Sequence, residues 1–159
     1  MGGASSKYCG LYLSRCCSLV LLAGCAAHHR QARLPDAEQG EVQFQRYCAA
    51  CHQYDGQGMG DAPTLAGSPW VTGPESRLIR IVLHGVRGPI VVDGKTYDRE
   101  MPGFGQILSD TQVVSLLSYV RRQFGAPSEP ITAEMVSRVR ALNQTRTQYW
   151  RVDELLENP

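Results

Sequence analysis

Cys48 and Cys51 stand three residues apart, and a histidine follows at once, in Cys48-Ala49-Ala50-Cys51-His52. On a turn of helix, residues three or four apart share one face. Two thiols so placed can bond two carbons along one side of a porphyrin while the imidazole is delivered beneath the iron. This is the attachment pattern of a covalent c-type haem, and the rest of the chain must be organised around that group. Two other chemistries use such a pair of cysteines. A redox dithiol of thioredoxin type needs a βαβ context, and none surrounds this stretch. A structural zinc site needs a second ligand pair, and the exported part of the chain offers no further Cys-x-x-Cys or His-x-x-x-His.

The chain opens with a different kind of signal. Lys7 and Arg15 precede an apolar run from Cys16 to Leu22, and Leu22-Ala23-Gly24-Cys25 closes it. A short apolar run behind positive charge, ending in small residues, is an export signal; a transmembrane helix needs about 20 apolar residues. Leu22-Ala23-Gly24-Cys25 resembles the bacterial lipobox, whose cysteine is lipidated and becomes the first residue after cleavage. The alternative is an ordinary cleavage nearby, with Cys25 left as a stray thiol. Lipidation implies a protein of the bacterial periplasm, anchored to a membrane through the acyl chains of Cys25.

Loss of residues 1–24 leaves roughly 135 residues, enough for one domain with its own core. Sixteen basic against fifteen acidic residues give no basic footprint, which argues against nucleic acid as a partner. The six cysteines are all accounted for: Cys9, Cys16 and Cys17 leave with the signal, Cys25 takes lipid, and Cys48 and Cys51 take haem. Residues 25–35, with His28, His29 and Arg30, show no periodicity and read as a tether.

Asp36 is expected to cap a helix running through Tyr47, with Gly40, Phe44 and Cys48 on one stripe. A glycine inside a helix costs about 1 kcal/mol relative to alanine, a cost that makes sense where another helix must approach closely. Gly56, Gly58 and Gly60 mark a compact loop from Gln53 to Pro63, expected to run against the haem edge. Pro74 is expected at the first position of a second helix, through about Leu83, with Gly85 ending it. Ile90-Val91-Val92 and Lys95-Thr96-Tyr97 flank Asp93-Gly94 and predict a short hairpin. Ser109 and Gln112 form a capping box before Val113, Leu116, Leu117, Val120 and Phe124, an amphipathic helix with Arg121 and Arg122 at its negative end. A last segment from Thr132 to about Leu142 places Met135, Val139 and Leu142 at helical spacing, and Trp150, Leu155 and Leu156 lie beyond it. It reads as an extension that wraps the domain or meets a partner.

A second iron ligand is expected from Met101-Pro102-Gly103-Phe104, where proline stiffens an extended segment that presents the thioether. A soft sulfur opposite an imidazole raises the iron potential and favours electron transfer. The other readings are a gap-filling Met101 and His84 as the ligand; Met59 stands too near His52 in sequence, and Met135 belongs to a separate helix.

With these pieces placed, Asp36 to Gly125 resembles the class I cytochrome c family. The resemblance rests on Gly40, Phe44 and Cys48 at spacing four, the Cys48–His52 motif, Pro63-Thr64-Leu65, Met101-Pro102, and Leu116 with Tyr119. It implies an all-α fold of helices around one covalent haem c, with a short β-hairpin before the axial Met101 and a C-terminal helical extension. In that family the first and last helices cross near the glycine and an aromatic pair, here Phe44 and Tyr119. The carbonyl of Pro63 would accept the proton of the proximal histidine, His52. The organisation implied is a lipoprotein signal at 1–24, a tether at 25–35, the cytochrome domain at 36–125 and an extension at 126–159. Trp70, Arg87 and Tyr97 are candidates for the haem environment.

Tyr97 ahead of Met101-Pro102-Gly103-Phe104, with Leu108-Ser109-Asp110 after it, resembles a narrower group: bacterial monohaem cytochromes that accompany quinoprotein alcohol and sugar dehydrogenases. The function implied is one-electron transfer without catalysis, from a periplasmic dehydrogenase to a terminal oxidase or another cytochrome. Two rivals stand beside it. One is a haem peroxidase or a gas or redox sensor with a displaceable sixth ligand; the other is a permanently bound subunit of an oxidoreductase complex.

Overall fold

A computed structural model describes residues 36–126 and 129–157. The signal, Cys25 and the tether through residue 35 lie outside the described residues. Helix α1 (Asp36–Tyr47) is followed by a single turn, α2 (Ala49–His52), then α3 (Pro69–Thr72) and α4 (Glu75–His84). Four short strands come next, β1 (Gly85–Arg87), β2 (Ile90–Val92), β3 (Lys95–Tyr97) and β4 (Glu100–Pro102). Helices α5 (Asp110–Phe124) and α6 (Ala133–Leu142), strand β5 (Trp150–Arg151) and α7 (Val152–Glu157) complete the order. No helix among the described residues is long and apolar enough to cross a membrane.

The crossing of α1 and α5 is the tightest seam of the core. A Cβ on Gly40 would overlap the Ser115 carbonyl oxygen and stand 2.7 Å from Tyr119 Cβ, so only glycine lets the two backbones meet there. One turn later Phe44 is fully buried, with its ring centroid 5.5 Å from Tyr119 and 5.0 Å from Phe124. Tilted aromatic pairs at such distances add attraction beyond their area. Val113, Leu116, Leu117, Val120 and Phe124 are all buried, so the stripe expected on α5 is the face it buries. The capping box is present in full: Ser109 Oγ accepts from Gln112 N–H, and the Gln112 side chain accepts from Ser109 N–H.

Two details differ from the sequence expectation. Pro74 is the residue before α4 and not its first helical position; it is extended, with ψ 136°, because a separate short helix capped by Ser68, with Pro69 first in it, ends just ahead at Thr72. On α6 the buried residues are Val136 and Val139, while Met135 and Leu142 are exposed. The apolar face is turned because Met135 lies in the capped first turn, where its N–H donates to Thr132 Oγ1, and the branched Val136 takes the inward position beside Ile131. Arg121 and Arg122 stand in the last turn of α5 as expected, and Arg121 is buried there as well. Its side chain is 5 % exposed, donating to the carbonyls of Val71 (3.2 Å), Gly73 (2.5 Å) and Glu129 (3.2 Å) and to Glu75 Oε1 (2.9 Å).

The hairpin forms as expected, with Asp93 (φ 50°) and Gly94 (φ 74°) as its two-residue turn; positive φ at both positions matches the twist of the strands. A second sheet has the order β4-β1-β5 and was not expected. Strand β1 pairs antiparallel with β4 and parallel with β5, so Val86 faces Met101 on one side and Trp150 on the other. The segment after Gly125 therefore wraps the domain: Ile131, Val136 and Val139 join the cluster that holds Phe44, and Trp150 and Leu155 build a second cluster with Ile81 and Val86.

Arg121 holds the Glu75 carboxyl below the usual carboxylate range. A group with a depressed folded-state value stabilises fully above its unfolded-state value, and loses that contribution as pH falls through the folded one. Urea unfolding of Glu75→Gln should therefore show a deficit of roughly 1 kcal/mol at pH 7. The deficit should shrink steadily below about pH 4; a gap independent of pH would contradict the pairing.

Candidate haem-attachment site

Cys48 closes the last turn of α1, its N–H donating to the Phe44 carbonyl at 2.8 Å, and its own carbonyl accepts from the N–H of His52 at 2.9 Å. The attachment motif is thus one helical turn hung on the end of α1, and the Gly40 seam fixes where that turn stands. Cys48 and His52 are buried and Cys51 is exposed; both thiols are free. All three residues line one cavity of about 380 Å³, with Phe44, Leu116, Leu117 and Val120 behind them.

The His52 ring is oriented by Nδ1, which donates to the Pro63 carbonyl at 3.0 Å. A carbonyl oxygen can only accept, so Nδ1 carries the proton and Nε2 keeps its lone pair. Burial pushes the imidazole pKa down, and the Pro63 bond opposes it less strongly, so the ring is neutral, the form that binds metal. A hydrogen bond on the far nitrogen both orients the ring and makes the ligand nitrogen more basic.

The glycine loop builds this carbonyl's position. Gly58 (φ 77°) donates its N–H to the His52 carbonyl at 3.0 Å, and a Cβ on it would lie 2.7 Å from the Pro63 oxygen. Gly56 (φ 71°) leaves the space that the Phe124 ring fills, and its carbonyl accepts from Leu65 N–H (2.7 Å) and Thr64 Oγ1 (3.1 Å). The loop runs against the cavity as expected, with Met59, Asp61, Ala62 and Pro63 among its lining, while Gly56 and Gly58 themselves make room for Phe124 and for the loop's own carbonyls.

Burial, then the neighbouring Cys51, pushes the Cys48 thiol up to about 12. Among the described residues no group of three or more His, Cys, Asp or Glu gathers to hold a metal ion.

Met101 lies half-buried on β4 and lines the same cavity as His52. Met59 reaches the cavity too, but it is largely exposed, and its sulfur accepts from Gln53 Nε2 at 3.6 Å. His84 is not among the lining residues. Its ring packs edge-on against Trp150 at 6.5 Å, so the structure does not bring it to the site. Met135 is exposed on α6. Pro63, Trp70 and Tyr97 all line the cavity, with Trp70 Nε1 donating to the Val91 carbonyl at 3.4 Å. Arg87 does not line it. Its guanidinium pairs with Glu100 and lies over the Tyr149 ring, and Arg99, which sequence reasoning missed, reaches the cavity in its place. Alternation along the strand before Met101 was the available signal, since Arg99 and Met101 are two apart.

Two thiols, a neutral imidazole with a free Nε2 and a thioether, gathered on an apolar cavity, are a soft sulfur and nitrogen donor set that fits a covalent haem.

The comparisons with known proteins agree with this geometry. The family model described as Cytochrome c matches residues 37–123. A cytochrome c-552 of Thermus thermophilus is 33% identical over 141 residues, covering 82% of this chain and 88% of that protein. The fructose dehydrogenase cytochrome subunit of Gluconobacter japonicus is 32% identical over 76% of this chain and 26% of its own length. The cbb3-type cytochrome c oxidase subunit FixP of Sinorhizobium medicae is 34% identical over 65% of this chain and 36% of its own.

Gly58→Ala would strain a left-handed position and press on the Pro63 carbonyl. Its thermal midpoint should fall by roughly 5–10 °C; a midpoint unchanged from the native protein would show that the loop does not need this conformation.

Proposed function

The chain belongs to the cytochrome c family, and from that premise we propose that it is a periplasmic, membrane-tethered one-electron carrier in which His52 and Met101 are the axial ligands of the iron. Its cofactor is covalently bound haem c, and it is an electron-transfer protein and not itself a catalyst. Bound haem supplies the one-electron iron couple. Cys48 and Cys51 hold it by thioether bonds, Pro63 fixes the His52 ring, and the apolar wall from Phe44 to Val120 keeps water from the buried side.

The observation that carries the reading is that His52, with Nε2 free, and Met101 line one cavity. With both residues bound, the iron would have no open position for substrate. The rival with a displaceable sixth ligand draws on a mobile Met101 segment. Here that segment is strand β4, paired with β1, and Phe104 N–H beyond it donates to the Val82 carbonyl at 2.8 Å. The packing therefore favours the carrier.

Similarity to dehydrogenase cytochrome subunits and to an oxidase subunit supports redox proteins as partners. We assign the donor to a periplasmic dehydrogenase, of quinoprotein type on the sequence resemblance, and the acceptor to a terminal oxidase or another cytochrome. The membrane tether is the lipid on Cys25, and the localisation rests on the lipobox alone.

Met101→Ala should lower the reduction potential by on the order of 0.1–0.3 V, within the roughly 0.8 V that axial ligands span. An unchanged potential and spectrum would refute the ligand assignment. Labelled palmitate fed to expressing cells should enter the native protein and not Cys25→Ser, and native protein without label would refute the anchor.

A further inference from the structure

Residues paired directly across a sheet point to the same face, so Trp150, Val86 and Met101 form one row across β5, β1 and β4. Val86 and Trp150 are buried in one cluster, and Met101 packs against it half-buried. Trp150 is itself held on several sides. The Arg146 guanidinium lies 3.5 Å from its ring centroid, Arg80 lies at 5.4 Å, and His84 meets its edge at 6.5 Å. Arg146 is in turn fixed by Glu154 at 2.6 Å and by the carbonyls of Gln148 and Tyr149. The far side of the methionine segment is pinned from the same part of the chain: Arg140 donates to the carbonyls of Gly105 (2.5 Å) and Leu108 (3.0 Å) and pairs with Asp110 at 2.8 Å.

From this juxtaposition we infer that the C-terminal segment is a brace for the axial thioether, with Trp150 as the positioning residue that presses Met101 toward the iron through Val86. The inference rests on Met101 as the axial ligand and goes beyond it, because it names what sets how readily that ligand leaves. Trp150 is not among the residues lining the cofactor cavity, so its effect on the iron passes through Met101.

Imidazole titrated into the oxidised holoprotein binds only where Met101 has left, so its apparent affinity reports the methionine-off population. Trp150→Ala should raise that affinity about tenfold and weaken the far-red band of the methionine-ligated ferric haem. Trp150→Phe, which keeps a ring on Val86, should stay near native. In a Met101→Ala background, Trp150→Ala should change nothing further. Native affinity in a folded Trp150→Ala protein would overturn the inference, as would an equal gain with Met101 already removed. Should Trp150→Ala not fold, Arg146→Met decides, with affinity raised about threefold if the brace holds and unchanged if it does not. If Met101→Ala itself leaves the imidazole affinity and the band as in the native protein, the axial reading fails and takes this inference with it.

Discussion

The contact on which the rest depends is the backbone-to-backbone approach of α1 and α5 at Gly40. With a side chain there the helices would stand apart, and Phe44 would lose its place between Tyr119 and Phe124. Because Cys48 is the next residue on the same helical stripe, the seam also fixes the first thiol, and the single turn that follows fixes Cys51 and His52. A backbone clearance of a few ångströms at one end of α1 thus determines the position of iron chemistry at the other.

The site combines that rigid element with a loop. His52 needs an acceptor on its far nitrogen, and the acceptor is a main-chain carbonyl set by left-handed glycines; no carboxylate is used. A carbonyl brings no charge into an apolar cavity, so it orients the imidazole without the desolvation cost of an ion. The buried assembly of Arg121 with Glu75 and three carbonyls lies where α5 meets the α3–α4 link, and its residues other than Val71 are not among those lining the cavity.

What was legible in the sequence was local. The Cys48–His52 spacing, the Ser109–Gln112 box, the α5 stripe and the Asp93-Gly94 turn each depend on residues a few positions apart, and each is found in the fold. What was not legible depends on partners far along the chain. Arg121 reads as a charge at a helix end until Val71, Gly73 and Glu75 arrive to bury it. The inward face of α6 is chosen by what it packs on, and Val136, beside the expected Val139, took the place read for Met135. The second sheet is built of strands only two or three residues long, too short for alternation to register, and one of them comes from the far end of the chain. The exchange of Arg87 for Arg99 at the cavity follows from the same sheet, since β1 turns Arg87 toward Glu100.

The parallel strand β5 has a further consequence, for association between molecules. Without it, β1 would be the outer strand of its sheet and would offer the unpaired main-chain groups of Val86 and Arg87 as a template for another chain. With it, the edge on that side is a two-residue strand that carries Arg151 and is followed closely by Asp153, and a short charged edge is one of the ways natural sheets resist growing from molecule to molecule. Strand β5 thereby shields that edge of the sheet, and β4 is the edge on the other side.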